Sequence, residues 1–443
     1  MDERMPESQQ EPTVEEAQAR LDKQTGAKEQ PIIPELLPLP AGGLKAWVKK
    51  NLFGSVKDAI LTVVFGALLG YLAYRTFGYV FLNQKVMPDG TVRSGWEVVF
   101  DGPLVAYMLG NRFNQTGLTY ANVWGAIYLL TLVAGLIAGV SRAHGNVTPL
   151  RTTLKILAAP IIGVAAVLVM TRTLTPTLLV LAGVVLFLVV RWAVPKLPER
   201  VLRRAGWISM AVVAVAFVVL TGGDPSNVDK FGGLLLTIVV SAGGIVLSFP
   251  LGVLLALARR SSFPLIRPIA VVYIELIRGV PLITLLFMGR FAFGFFLPVG
   301  WQTPGVITRA IVMITLFTAA YVAEVVRGGL QSVPRAQTEG AQALGLSPLK
   351  ITRLIVLPQA LRNSIPALIG QFISLLKDTS LLVVIGIPEL LGITEQILAQ
   401  LKFKAQGFQP ETYAFVCLIY WVICFSMSRA SQRLETRLGV GTR

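Results

Sequence analysis

Ten runs of mostly apolar residues follow one another along this 443-residue chain, at approximately 57–81, 122–141, 153–170, 174–192, 206–222, 231–258, 268–290, 306–327, 364–386 and 411–429. A helix needs roughly 20 apolar residues to cross a hydrocarbon layer about 30 Å thick. In lipid, a spanning segment without closed strand pairing must satisfy its backbone amides internally, as a helix does. The expected fold class is therefore an all-α polytopic membrane protein with about ten transmembrane helices. Composition agrees: only 14% of residues are charged, against roughly 25% in a soluble domain.

The net charge of +16 does not point to nucleic acid, because of where the charges lie. Residues 1–40 hold nine acids and four bases, and the remainder holds 15 acids and 36 bases. Those bases gather at the ends of apolar runs. With the amino terminus inside, the cytoplasmic segments carry 23 Lys and Arg and the opposite segments carry 9. Basic residues favour the cytoplasmic side, so both termini are expected there. Residues 1–40, polar, acidic and proline-spotted, read as a disordered cytoplasmic tail. They show no basic start followed by an apolar core, as a secretory signal would.

Chemical constellations are sparse. Cys417 and Cys424 lie seven apart in one apolar run, about two helical turns, too far to bridge. His144 is the sole histidine. No metal-ligand set, nucleophile and base pairing, or redox pair is present in the sequence.

One polar, glycine-bearing segment stands out between two apolar runs: EGAQALGLSPLKITRLIVLP, residues 339–358. Gly328 and Gly329 before it suit a sharp turn. Pro334 suits the start of a helix and Gly345 its end. A short cytoplasmic helix from Pro334 to Leu344 is expected, with small Ala336, Ala341 and Ala343 allowing close approach to a partner. Ser347-Pro348 would start a second, amphipathic helix carrying Lys350 and Arg353 toward the lipid surface.

Residues 339–358 resemble the EAA loop of bacterial ABC importer permeases. That loop reads E-A-A, three residues, G, nine residues, I-x-L-P. Glu339, Ala341, Gly345, Ile355, Leu357 and Pro358 fit, and Gly340 replaces the usual alanine. IELIRGVPLITLLF at 274–287, VAEVVRGGLQSVPRAQTEGAQALGL at 322–346, LPQALRNSIP at 357–366 and SLLKDTSLL at 374–382 are similar to the polar amino-acid uptake subfamily. The added N-terminal spans resemble those of its long general L-amino-acid permease branch. The resemblance implies a C-terminal five-helix ABC importer permease unit and a coupling helix for a separate ATPase, on Glu339, Gly340, Ala341, Ala343, Leu344, Gly345 and Leu346. It implies two copies of an ABC ATPase that bind ATP and Mg, a second permease chain, homologous but different, and a periplasmic or extracellular substrate-binding protein. It places the chain in the lipid bilayer of the bacterial cytoplasmic (inner) membrane, with no nucleic acid, no metal and no cofactor of its own. No G-x-x-x-x-G-K-[ST] phosphate loop occurs in the sequence, consistent with a motor on another chain.

Ionisable residues within the spans change after Gly222, and such groups are often functional. Expected divisions are a tail at 1–40, an N-terminal membrane extension of about five spans at 41–225, a transport unit at 226–433 with its coupling loop at 328–358, and a cytoplasmic tail at 434–443. Lys377, Asp378, Thr379 and Ser380 interrupt the ninth span. They either meet the two charged ends of an amino acid or form a structural pair holding a broken helix. Glu275 and Arg278 share a helical face beside Gly279 and Pro281, which can kink or unwind the seventh span. They either line the substrate pathway or form an intrahelical pair near its cytoplasmic end. Glu324 and Arg327 read as an anchor for the coupling loop or as a solvated pair.

The expected function is amino-acid uptake by alternating access coupled to the separate ATPase. An ion-coupled secondary amino-acid transporter is the alternative, with Glu275 and Asp378 as its membrane carboxylates. It leaves the cytoplasmic motif unexplained. An intramembrane enzyme lacks a catalytic set.

Overall fold

The computed structural model describes residues 43–82, 84–86, 90–94, 96, 99, 104–110, 119–143, 174–400, 403 and 407–438. The chain divides into two compact units, Met1–Gly78 and Tyr79–Arg443. The first holds α1 (Gly43–Leu52) and α2 (Val56–Phe77). Ser55 starts α2 by accepting the Asp58 amide at 3.1 Å and donating to the Asp58 carboxylate at 2.8 Å. This reciprocal cap satisfies a terminal amide that would otherwise lack a partner. No residue of α2 is buried.

The second unit is almost entirely helical. A short antiparallel ribbon pairs Gln84–Val86 with Val92–Ser94. Then come α3 (Leu104–Leu109), α4 (Tyr120–Ala143), α5 (Leu174–Ala193), α6 (Glu199–Thr221), α7 (Gly233–Arg259), α8 (Ile266–Gly279), α9 (Leu282–Phe287), α10 (Val306–Gln331) and α11 (Arg335–Ala343). The series ends with α12 (Leu357–Asp378), α13 (Leu390–Leu398) and α14 (Gln409–Leu438).

Among the described residues, eight helices are long and apolar enough to cross a membrane, and nine if the bent α8–α9 pair is one span. They correspond to nine of the ten expected runs. The run at 153–170 lies outside the described residues, as does the tail at 1–40.

The break expected at Gly279 and Pro281 in the seventh span is present, as a bend of 102° between α8 and α9. Val280 and Pro281 there are extended, and proline cannot supply the amide a continuous helix needs. Two departures from the sequence expectation matter. The ninth span is longer than expected: Pro348 to Ile385 form one rod of 38 residues. It comprises an α turn, a π turn at Thr352–Val356, α12 and a 3-10 stretch at Thr379–Ile385. The π turn precedes Pro358, whose ring conflicts with the carbonyl four residues back, and widening the helix there relieves that conflict. The connection at 386–411 contains α13, which the apolar runs do not reveal.

Buried side chains of the second unit form three main layers. At one end Tyr107, Leu390, Ile393, Phe408 and Phe415 join α3, α13 and α14. The Tyr107 and Phe415 rings meet edge to face at 5.3 Å. In the middle Leu236, Val240, Leu286, Ile314, Leu375 and Leu382 join α7, α9, α10 and the long rod. At the other end Ala256, Ile274, Val322, Ala323, Val326 and Ala360 form a layer to which Ala341 and Ile351 also belong. Four of its eleven buried residues are alanines, small enough for the close packing by which helices associate in lipid. A smaller cluster of Leu136, Val194 and Ala205 holds α4, α5 and α6 together.

Candidate functional site

The polar segment after α10 folds into a short helix whose two ends are determined by its sequence. The expected turn at Gly328-Gly329 is not there. The helix α10 runs through both glycines to Gln331, and the chain turns at Ser332–Pro334. Gly329 serves close packing: a Cβ at that position would lie 2.4 Å from the Ala360 carbonyl oxygen and 2.0 Å from Ser364 Oγ. Helices α10 and α12 thus touch through backbone where the loop begins and where it returns.

Pro334, extended, precedes the first residue of α11. At the far end Gly345 takes φ +73°. Its amide donates to the Gln342 carbonyl at 2.9 Å, and the Leu346 amide donates to the Ala341 carbonyl at 3.2 Å. These two bonds are the double closure that a left-handed glycine permits. Ala341 is buried and belongs to the lower packing layer, with Leu346 packed against that layer. Glu339, Gly340, Ala343 and Gly345 are exposed. Leu344 is 80% exposed and Leu349, just after the helix, 77%. One face of α11 is fixed to the bundle, and the other presents Arg335, Gln337, Glu339 and Gln342 among small residues, with Leu344 and Leu349 outward just beyond its end.

A charged cluster lies where α7, α8 and α10 meet. Glu324 on α10 is its hub. Arg327 Nε donates to both Glu324 oxygens at 3.0 Å, with a further Nη2 contact to Oε1. Arg259 on α7 bridges Glu324 at 3.3 Å and Glu275 at 3.0 Å. Arg278 on α8 reaches Glu324 at 3.7 Å, and its guanidinium lies 5.7 Å from the centre of the Tyr321 ring. Glu275 and Arg278 thus pair with neighbouring helices instead of with each other. Three arginines around two carboxylates tie three spans together near the end of α10, where the polar segment begins. Arg259 is the member that sequence reasoning missed, since a base closing a span reads as a topology signal.

The structure keeps Lys377–Ser380 apart from that cluster, at the change from α12 to the 3-10 stretch. Lys377 is exposed and Asp378 half-buried. No ion pair joins them among the described residues. Ser380 Oγ donates to the Lys377 carbonyl and buried Thr379 Oγ1 to the Leu376 carbonyl. Both hydroxyls thereby close the end of α12, where the 3-10 stretch begins.

Glu389 is a second residue that sequence reasoning did not single out. It is completely buried and starts α13. Its Oε1 accepts the Gly392 amide at 2.8 Å, and Oε2 accepts the Leu391 amide at 2.9 Å and the Tyr420 hydroxyl at 2.9 Å. Thr237 on α7 sits 3.5 Å from Oε2 and accepts the Leu390 amide at 3.1 Å. Burial raises the Glu389 carboxyl above its usual range, and the amide and hydroxyl donors only partly offset this. Its signal in the sequence is slight: Pro388-Glu389 ahead of an apolar run, a capping pattern.

Comparison with known proteins bears on this arrangement. Residues 248–440 match the family described as "Binding-protein-dependent transport system inner membrane component". The chain is 42% identical over 267 residues to the inner membrane amino-acid ABC transporter permease protein YhdY of Escherichia coli, covering 60% of this chain and 71% of that one. It is 46% identical over 211 residues to the glutamate/glutamine/aspartate/asparagine transport system permease protein BztC of Rhodobacter capsulatus. That match covers 47% of this chain and 48% of that relative, about half of its length. A solved amino acid ABC transporter chain is similar over 50% of this chain and 98% of its own, with 29% identity and a TM-score of 0.41. The chain belongs to the family of amino-acid ABC transporter permeases, inner-membrane components of binding-protein-dependent transport systems.

Proposed function

We propose that this chain forms part of an ATP-driven importer of polar amino acids, and that α11 with its closing turn, Arg335–Leu346, couples it to a separate ATPase. The observation that carries this is the two-faced mounting of α11. Ala341 is packed into the layer formed by α7, α8, α10 and α12, while Leu344 and Leu349 project outward from a polar segment. Apolar side chains displayed this way are suited to burial against another protein. Motion of an ATPase against that face would reach α10 and α12 directly, because the loop starts and ends where they touch through Gly329 and Ala360.

In this mechanism two copies of the ATPase bind ATP and Mg and close together. The bundle shifts between outward and inward packings, and a binding protein delivers the substrate outside. The permease dimer pairs this chain with a homologous second chain. Residues 226–433 form the transport unit, with 41–225 a membrane extension and both termini cytoplasmic. The name of BztC supports polar substrates. The pathway passes Lys377, Asp378, Thr379 and Ser380, whose charges suit the two ends of an amino acid. The cluster of Arg259, Glu275, Arg278, Glu324 and Arg327 keeps three spans moving together. None of the relatives described above is an ion-coupled carrier.

Purified alone, the chain should not hydrolyse ATP. Reconstituted with its ATPase and second permease, hydrolysis should rise with liganded binding protein. Specific hydrolysis by the lone chain, or a complex indifferent to binding protein, would overturn the proposal.

A further inference from the structure

An open apolar cavity of about 400 Å3 lies between α7 and α8. It is lined by Leu251, Leu255 and Ala258 on α7, Ile266 and Ile269 on α8, and Leu316 on α10, among others. Its walls are the last two turns of α7 and the first two of α8. It therefore extends roughly 10 Å along the helices, at 1.5 Å per residue, from the turn at 260–265. That turn and the start of α8 carry Arg260, Ser261, Ser262 and Arg267. Arg260 and Arg267 are exposed, and no carboxylate pairs with either among the described residues. Arg260 donates through Nη1 to the Leu330 carbonyl at 3.3 Å, leaving its other donors. The nearby Arg259 is already held by Glu275 and Glu324. Phe263 and Leu265 are 64% and 70% exposed on the same turn, as in a segment seated at a membrane interface.

A basic turn at one end of an apolar groove has the polarity of a phospholipid. We propose that the groove holds an acyl chain of an anionic phospholipid from the cytoplasmic leaflet, with its headgroup phosphate on Arg260 and Arg267. The assignment rests on the cytoplasmic placement of this turn, which follows from the orientation proposed above. The cytoplasmic leaflet is anionic and attracts basic side chains near the membrane surface, and basic pockets between helices on that side suit lipid headgroups. Leucine, isoleucine and alanine walls accept an acyl chain without any polar demand. The bound lipid would lie between the two helices that Arg259 and Glu275 bridge, adding a second tie at the floor of the bundle.

The test is native mass spectrometry of the full-length chain in detergent, titrated separately with phosphatidylglycerol and phosphatidylcholine. Phosphatidylglycerol should bind the wild type more tightly, by roughly 30-fold for two basic side chains near an anionic headgroup. In the Arg260→Ala, Arg267→Ala double variant that preference should vanish. Ala258→Trp keeps both arginines but fills the groove, and should reduce retention of both lipids. Equal binding of the two lipids by the wild type would overturn the proposal. So would a preference surviving in the double variant, or unchanged binding in Ala258→Trp. The readout needs neither transport nor ATPase, so failed coupling would not be mistaken for failed lipid binding. Impermeant labelling at a cysteine placed in the 260–265 turn checks the orientation independently.

Discussion

Glu324 and Glu389 show what a single carboxylate does in two settings. Glu324 is partly exposed and surrounded by three guanidinium groups, so Glu324→Gln leaves three arginines with only Glu275 among them. Exposure weakens each pair, yet removal of the hub should cost about 1–2 kcal/mol, within the range for losing one partner of a partly buried network. Glu275, whose side chain is 54% exposed, should cost under about 0.5 kcal/mol when changed to Gln. Thermal unfolding of both variants in detergent checks the order; equal losses would remove Glu324 as the hub. Glu389 is buried, and its carboxyl lies above the ordinary glutamate value of 4.5. A raised value favours the folded state most below about 4.5, and that contribution declines as pH rises through the folded value. Stability of the wild type relative to Glu389→Gln should therefore fall between acid and neutral pH, and a flat or rising difference would contradict the assignment. Glu389→Ala should be worse than Glu389→Gln by about 1–3 kcal/mol, because two helix-start amides lose their acceptor inside the protein.

At the scale of elements, the close contact of α10 with α12 makes Gly329 intolerant of any side chain. Ser364 Oγ could rotate away from a new Cβ, but the Ala360 carbonyl is backbone and cannot. Gly329→Ala should therefore destabilise the chain by about 1–3 kcal/mol through overpacking. Its melting temperature should drop while Gly340→Ala, with open space around it, changes little. Equal melting of the two would contradict the packing. The same glycine shows what sequence alone makes legible. A glycine pair before a polar loop reads as a turn, because glycine's freedom is a local property. Its role in letting two helices touch depends on residues 31 and 35 positions away, and local patterns do not carry that. The helix α11 itself is legible, since Pro334, Gly345 and the polar composition act locally. Glu389 and Arg259 are not: one caps a helix hidden in a connection, and the other pairs across three spans.

For the whole molecule, apolar periodicity and basic asymmetry are enough to expect the helical membrane architecture, because the bilayer imposes a length and a hydrogen-bond rule on every span. They do not reveal the 38-residue rod, and although Gly279 and Pro281 mark where the seventh span breaks, they do not reveal that the bend reaches 102°, because both depend on how proline is accommodated within a packed bundle. The central claim is that Arg335–Leu346 transmits the ATPase's motion, and Gly345 tests it most directly. Apart from its two chain neighbours, no described residue lies within 4 Å of a Cβ built there, so the chain alone should lose only about 1–2 kcal/mol, from the left-handed conformation at φ +73°. An aspartate also places a negative charge at the carboxyl end of a helix, where anions are disfavoured, and pushes a side chain into the space where the proposed coupling places the ATPase. The decisive measurement is binding-protein-stimulated ATP hydrolysis together with amino-acid uptake by the reconstituted Gly345→Asp complex. The account predicts normal insertion of the permease with the ATPase either dissociated or hydrolysing without uptake. Wild-type uptake with wild-type stimulation would contradict it.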